Sequence, residues 1–413
     1  KMKINKDKSQ HSSLFGIWSN LIATFLISTA MGMTAILFPV ALENNSVNTS
    51  MIGIIMSLET IASIVICFGL AFMLRRFGMQ MGMVLTTIIR IPPVLFMAFS
   101  GSLMLWSTAI FIHAAGCFIF LLLTQTWINA IPFKKNMGLW MAIYSTAMSI
   151  GLAFGPVVLS VMESAPEYWL TALAFMWKPI ALMMGHNGDI TINQLEFLVS
   201  VGINLLATIP VLVAMKTIPS FSFTKSAGIW KSIMECKGPM FSLALAGVSM
   251  FGVSAFITLY GLRNGLSLTD AALLFTFFNV GAIMLEIPIG WISDRFDRRY
   301  MIVICTFLCM VCAVYLPIAI YVNYQAWILV FIWGGVVGSI YSLALTIVGE
   351  QFEGEDLIGA NAGYSVMEGL GGTAGILLIG FCMDILGADG LPYVIMFSSI
   401  LYFSFALTRY RVV

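Results

Sequence analysis

Gly290-Trp291-Ile292-Ser293-Asp294-Arg295-Phe296-Asp297-Arg298-Arg299 crowds five charged side chains into ten residues between two long apolar runs. Elsewhere charge is scarce. Asp, Glu, Lys and Arg make up 9% of the 413 residues, apolar residues 60%, and the mean hydropathy is +0.98. A water-soluble domain carries roughly 25% charged residues, so most of this surface must face lipid and each remaining charge has to be read individually.

The runs flanking that stretch, 268–292 and 300–321, have the length of about 20 apolar residues that carries a helix across a bilayer. Ten more occur at 15–42, 50–74, 80–99, 103–130, 138–161, 195–216, 239–261, 325–348, 358–383 and 390–408. The pattern predicts an all-α membrane protein with 12 transmembrane helices and no chain left over for a soluble catalytic domain. Residues 168–184 are also apolar, yet short, and carry Lys178-Pro179. They read as a helix lying at the interface or packed in the loop between helices 5 and 6. The alternative, an added span, would invert everything downstream.

Loop charge argues against that inversion. On a twelve-helix path, 17 of the 20 Lys and Arg fall on one side. They are the four N-terminal lysines, Arg75, Arg76, Lys134, Lys135, the lysines of 216–237, Arg295, Arg298, Arg299, Arg409 and Arg411. Lys178 and Arg263 fall opposite, and Arg90 lies within a helix. Positive loops stay cytoplasmic, so both termini are expected inside. The basic start shows no cleavable-signal pattern, because its first apolar run is long enough to continue as a span. The net charge of +1 implies no nucleic-acid partner. Cys305, Cys309 and Cys312 share a helical face without His or acid beside them, which is the pattern of packing residues and not of a metal site. No cofactor is expected.

The Lys- and Ser-rich connection at 215–237 divides six helices from six. It gives a tail (1–14), a six-helix bundle (15–216), a linker (217–238), a second bundle (239–408) and a short tail (409–413). The halves correspond: Arg75-Arg76-Phe77-Gly78 leaves helix 2 as Asp294-Arg295-Phe296-Asp297 leaves helix 8. Helices 5 and 11 both carry glycines, Gly151 and Gly155 in one, Gly369, Gly371, Gly372 and Gly375 in the other. Small residues let helix backbones approach, either for tight packing or for one half to rock on the other. Internal repeats of this kind are the architecture of secondary transporters.

The stretch from Gly290 to Arg299 resembles the loop 8–9 copy of motif A of the major facilitator superfamily, and Gly151 to Pro156 resembles its helix-5 motif C. Thr126-Trp127-Ile128-Asn129-Ala130 and the run from Gly338 to Leu345 resemble a sparsely characterised bacterial branch. With the twelve-helix plan, the resemblance covers essentially the whole chain. Two departures stand out: Arg75 occupies the place of the usual Asp in the first motif A, and Leu159-Ser160 replaces the paired glycines that often close motif C.

The resemblance implies two pseudo-symmetric six-helix bundles working as a monomer by alternating access. It also implies that the motif loops brace the cytoplasmic ends. Asp294 and Asp297 would meet Lys134, Lys135 and the positive end of helix 5; Arg75 and Arg76 would face Glu350, Glu353, Glu355 and Asp356. Arg295, Arg298 and Arg299 belong to the same rim, whose bland alternative is a solvated charged edge. Helices 1, 4, 7 and 10 line the cavity in this superfamily. That suggests Thr34, His113, Gln125, Ser254, Thr258, Trp333 and Tyr341 as wall positions, with Asn279 and Tyr144 on gating helices. The 28 methionines mostly read as packing residues.

Ionisable groups inside a bilayer are costly and therefore functional candidates. They are Glu59, Arg90, His113, Glu286 and Glu368. Residue counting puts Glu59, Arg90 and His113 at similar depth, and a Glu59–Arg90 pair is the simplest way to bury both. Glu368 has no basic residue in its helix, and burial disfavours the charged form of such a carboxyl. It is the leading proton carrier, with Glu59 second; the alternative is a permanently protonated hydrogen-bonding group. Glu286, beside Pro288 near the cytoplasmic end, reads as a gate or structural residue.

These features predict a proton-coupled transporter of a small organic solute, leaning to efflux of amphipathic compounds. Uptake of a small polar nutrient, such as an amino acid or organic acid, is the alternative, and a non-transporting receptor on the same fold is a remote one. Three histidines at 11, 113 and 186, none in a catalytic motif, argue against an enzyme. No ring of charges suggests a channel filter, and no Gly-x4-Gly-Lys-Ser/Thr loop suggests nucleotide-driven transport.

Overall fold

A straight helix of 41 residues rises about 60 Å, twice the thickness of a bilayer core, so α2 (Thr49–Ile89) has to turn inside its own length. It does so at Gly78, whose φ of 71° and ψ of 167° lie in a region that only glycine occupies cheaply. Gly78→Val is accordingly expected to cost about 1–3 kcal/mol, read as a lowered midpoint in thermal unfolding. A second break follows Arg90, where Pro92 and Pro93 remove two backbone donors and α3 (Ile91–Phe99) begins.

The computed structural model describes residues 4–129, 137–186, 190–217, 229–293, 295–322, 324–352 and 354–410. Among them there is no strand. Besides α2 and α3, the first half holds α1 (Ile4–Asn44), α4 (Leu103–Asn129), α5 (Met137–Glu163), α6 (Glu167–Met183) and α7 (Ile192–Ala214). The second holds α8 (Ile229–Glu235), α9 (Lys237–Arg263), α10 (Leu268–Ser293), α11 (Arg298–Ala319), α12 (Gln325–Gln351), α13 (Gly354–Leu386) and α14 (Gly390–Tyr410).

Eleven stretches among the described residues are long and apolar enough to cross a membrane, and the last, Gly363–Ala406, covers both α13 and α14. The expected 12 crossings are thereby accounted for. The apolar segment between helices 5 and 6 is α6, a separate helix of 17 residues that is not among those stretches.

The chain divides into two compact units. The first comprises Lys1–Thr34 and Phe68–Thr224, the second Ala35–Cys67 and Lys225–Val413. The end of α1 and the first part of α2 thus cluster with the C-terminal helices, so the units do not follow chain order.

In the first unit, Ile17, Leu21 and Ile27 of α1 share a core with Met83 of α2, Phe120, Leu123 and Trp127 of α4, Tyr144 of α5 and Val211 of α7. Helices α1 and α5 touch backbone to backbone. A methyl group at Gly151 would strike Phe25, Ser28 and Thr29, and one at Gly155 would strike Gly32 and Met33. Gly151 and Gly155 thus bring α5 against α1 inside one unit, which is the tight-packing alternative.

In the second unit the glycines of α13 point two ways. Gly371 and Gly375 press on Ala244 and Val248 of α9, whereas Gly369 and Gly372 press on Ser63, Ile64 and Thr60 of α2. The three cysteines of α11 are buried packing residues, and the Trp333 indole N–H bonds to Cys309 Sγ at 3.2 Å.

Candidate functional site

In the first unit the chemistry centres on Arg90, at the break between α2 and α3. Its side chain is 0% exposed. Gly116 of α4 makes room for its aliphatic stem, and the guanidinium lies over the Phe120 ring, 5.6 Å from the centroid. Nε donates to Thr86 O at 3.0 Å, whereas Nη1 and Nη2 have no hydrogen-bond partner among the described residues. The expected carboxylate partner, Glu59, is thus not bonded to it. A guanidinium buried with two of its nitrogens unbonded among the described residues carries a desolvation cost that few contacts offset.

His113 braces the same spot. Its Nδ1 lies 3.2 Å from Arg90 O, and its Nε2 lies 3.6 Å from Cys117 Sγ. Nearby on α4, Thr124 Oγ1 accepts from Asn20 Nδ2 of α1 at 3.2 Å, leaving Asn20 Oδ1 unbonded among the described residues. Neither Asn20 nor Glu196 was anticipated from sequence. Glu196 of α7 is 6% exposed and feels the charge of Glu163. It sits in an apolar run, and that signal was available.

Several proposed wall residues are turned to local partners. The Thr34 hydroxyl donates to Met31 O and Asn279 Nδ2 to Phe275 O, each within its own helix. The Tyr144 hydroxyl reaches Leu121 O at 3.4 Å, and Trp333 is fully buried on Cys309. Trp333 is therefore a packing residue and not a cavity wall. Thr258 is also buried, with its hydroxyl unbonded among the described residues. Gln125, Ser254 and Tyr341 are half-buried.

The second unit holds three of the intramembrane carboxyls. Glu59 is half-buried on α2, next to Thr60, whose hydroxyl meets that of Thr373 at 2.7 Å. Glu368 is half-buried on α13, and its carboxyl makes no hydrogen bond or ion pair among the described residues. Tyr364 lies four residues before it on the same helix. Glu286 of α10 accepts a hydrogen bond from Ser342 of α12.

At the basic end of this unit, Asp297 caps its own helix, accepting from Arg299 N at 2.8 Å. Glu350 pairs with Arg298, and Arg295 stacks 3.8 Å from the Trp291 ring centroid. Asp297 and Glu350 thus each have a partner within this unit. Arg76 lies over the Phe77 ring. Lys134, Lys135, Asp294 and Glu353 lie outside the described residues. Of Arg75, Glu355 and Asp356 only the backbone is described.

The opposite end carries a cluster that sequence reading missed. Arg263, closing α9, bonds Glu43 Oε1 of α1 at 2.7 Å and Thr49 Oγ1 of α2 at 2.8 Å. Asp384 of α13 accepts from the backbone N–H groups of Thr49 and Ser50, both at 2.8 Å, and from the Ser50 hydroxyl. A carboxylate from one helix here caps the N-terminus of another, where orphan donors and the helix dipole favour it. Below it, Gly53 and Gly380 allow α2 and α13 into backbone contact.

A model of the Major Facilitator Superfamily matches residues 239–412. An uncharacterized MFS-type transporter of Bacillus subtilis (strain 168), YfkF, is 25% identical over 284 residues, which cover 66% of this chain and 64% of that relative. The match thus spans less than two thirds of the relative's length. Among solved structures, a bacterial homologue of the human lysosomal transporter Spinster, in an inward-facing and occupied conformation, superposes with a TM-score of 0.78 at 12% identity, over 96% of each chain. A mutant of the nucleoside transporter NupG gives a TM-score of 0.73 at 10% identity, over 95% of this chain and 99% of that one. At such identities the structures establish the shared fold alone.

Proposed function

We propose that this chain, a membrane transporter of the major facilitator superfamily, moves a small organic solute across the bacterial inner membrane by alternating access, with protons as the coupling ion. The observation that carries the reading is Glu368: a half-buried carboxyl within a glycine-seamed helix, with no ion-pair partner among the described residues. A carboxyl without a fixed counter-charge can gain and lose a proton without breaking the fold, as a carrier must. Glu59, one position from the Thr60–Thr373 contact, is the second candidate.

With both termini cytoplasmic, the Glu43–Arg263 and Asp384–α2 contacts form an extracytoplasmic clasp that opens when the cavity faces outward. Arg298–Glu350 belongs to the cytoplasmic rim. The glycines Gly369 and Gly372 give α13 a smooth face for α2 to slide on. Efflux of amphipathic compounds suits the half-buried aromatic and amide positions Tyr341 and Gln125. Arg90 favours a second reading, uptake of an organic acid, since its unbonded Nη1 and Nη2 suit a carboxylate.

The test is a thermal-shift screen of the purified protein against lipophilic cations and small organic acids, followed by flux in proteoliposomes under an imposed pH gradient. A ligand at 100 times its dissociation constant stabilises by about 2.7 kcal/mol. Gradient-driven accumulation of a stabilising ligand, lost in Glu368→Gln while ligand exchange persists, is the expected result. Accumulation that ignores the gradient, or survives Glu368→Gln undiminished, refutes the coupling scheme.

A further inference from the structure

Both ends of α6 are tied to one face of the first unit. At its start, only residues 164–166 separate it from α5, which ends at Glu163. At its finish, Gly185 adopts a φ of 78° and the His186 N–H returns to Ala181 O at 3.0 Å, a glycine-based helix stop. The His186 ring packs 5.5 Å from that of Phe99, the last residue of α3, and its Nε2 lies 3.2 Å from Gln194 Nε2 in the first turn of α7. In the chain, Lys134 and Lys135 precede α5 and Lys216 follows α7. With one crossing each in α5 and α7, the tied face is the one away from these basic residues. A straight helix about 25 Å long whose two ends meet the same face lies along it.

The side chains of α6 divide into three sides. At ~100° per residue, Leu170, Trp177 and Ala181 fall together. Ala181 is buried, and a methyl group at Gly202 of α7 would touch the Trp177 ring at 3.5 Å, so this side rests on α7. Roughly a quarter turn away, Glu167, Thr171 and Lys178 form an exposed stripe that holds both charges of the helix. The far side carries Tyr168, Trp169, Phe175, Met176, Leu182 and Met183, all between 53% and 86% exposed. A bare apolar side of this size marks an interaction surface.

The geometry points to α6 as an in-plane membrane anchor, with its far side among the acyl chains at the border of the leaflet away from the basic loops. That side continues the lipid-facing surface of the two spans it joins, whose nearest exposed apolar residues are Val161 of α5 and Ile192 of α7. With α7 to one side, the charged stripe turns to water and the apolar side reaches outward and down, as in an interfacial helix. Tyr168 and Trp169 are residue types that favour the headgroup level. The anchor sets the depth of this edge of the first unit in the bilayer. It is independent of the proton coupling proposed above and stands without it.

The test places a nitroxide at one position at a time, on a ketone-bearing amino acid that leaves the native cysteines untouched, in the full chain reconstituted into phospholipid vesicles. Electron paramagnetic resonance compares collisions with oxygen, which concentrates in lipid, and with a water-soluble nickel chelate. The oxygen-to-nickel ratio is expected to be several-fold higher at Tyr168, Phe175, Met176 and Met183 than at Thr171 and Lys178. Tyr168 should match Phe175 in depth, and Met176 should match Met183. All six positions are exposed, so the labels leave the core intact. A ratio that is the same on both sides overturns the anchor. So does a depth that grows from Tyr168 to Phe175 and from Met176 to Met183, the mark of a helix plunging into the bilayer. Weak collision with both reagents at the four apolar positions also overturns it, and would assign that side to a second copy of this chain or to another protein.

Discussion

Arg90→Met is expected to raise the stability of the purified protein by about 1–4 kcal/mol, the range seen when buried ionic groups give way to apolar ones. The guanidinium is 0% exposed and bonds only through Nε among the described residues, so the folded state carries the desolvation cost of a charge with little return. Methionine is unbranched and adaptable, and its stem follows the path already cleared by Gly116. The loss lies in function. If an organic acid is the solute, its affinity falls by about 2–5 kcal/mol, the usual cost of removing one member of a buried charged pair. Denaturation midpoints and binding titrations on the same preparations separate the two effects. A variant that is less stable than wild type would mean that Arg90 is held by partners inside the protein, and the acid-binding reading would lose its support.

Breaking the clasp should have the second-largest effect. The Glu43–Arg263 pair is about a quarter exposed on each side and is worth no more than about 1 kcal/mol. Asp384 adds charge-assisted hydrogen bonds to Thr49 and Ser50, themselves discounted by exposure. Arg263→Gln with Asp384→Asn is expected to shift the equilibrium by about 1–2 kcal/mol, or 5–30-fold, toward separation of α2 from α13. Spin labels at Asn44 and Leu386, read by double electron–electron resonance, would show a longer-distance population growing. The exchange of charges in Glu43→Arg with Arg263→Glu should restore part of the short-distance population. Distances that stay unchanged in the double variant would mean that the glycine seam alone holds these helices.

The crossings were legible because hydropathy acts locally: each span is a run of neighbours, and a turn such as Gly78 announces itself by composition. The side-chain pairing was not. Arg263 meets Glu43 across 220 residues and Asp384 meets Thr49 across 335, and no spacing rule reaches that far. Arg90 was found by its rarity in an apolar run, yet its expected pairing with Glu59 rested on depth alone, which ignores the direction a side chain takes. Trp333 failed as a cavity wall for the same reason, since its face of α12 turns to Cys309. Glycines told where helices touch without telling which helices, so Gly151 and Gly155 turned out to serve α1.

The cap that Asp384 lends to α2 also gives the molecule a built-in isotope label for its own conformation. The Thr49 and Ser50 amides are protected by an oxygen from α13, while Met51 is served locally by the Asn48 side chain. When α13 withdraws, the first two amides lose their acceptor and the third keeps its own. Deuterium uptake at Thr49 and Ser50 relative to Met51 would therefore report the fraction of time the helices spend apart, with no label attached and no solute known.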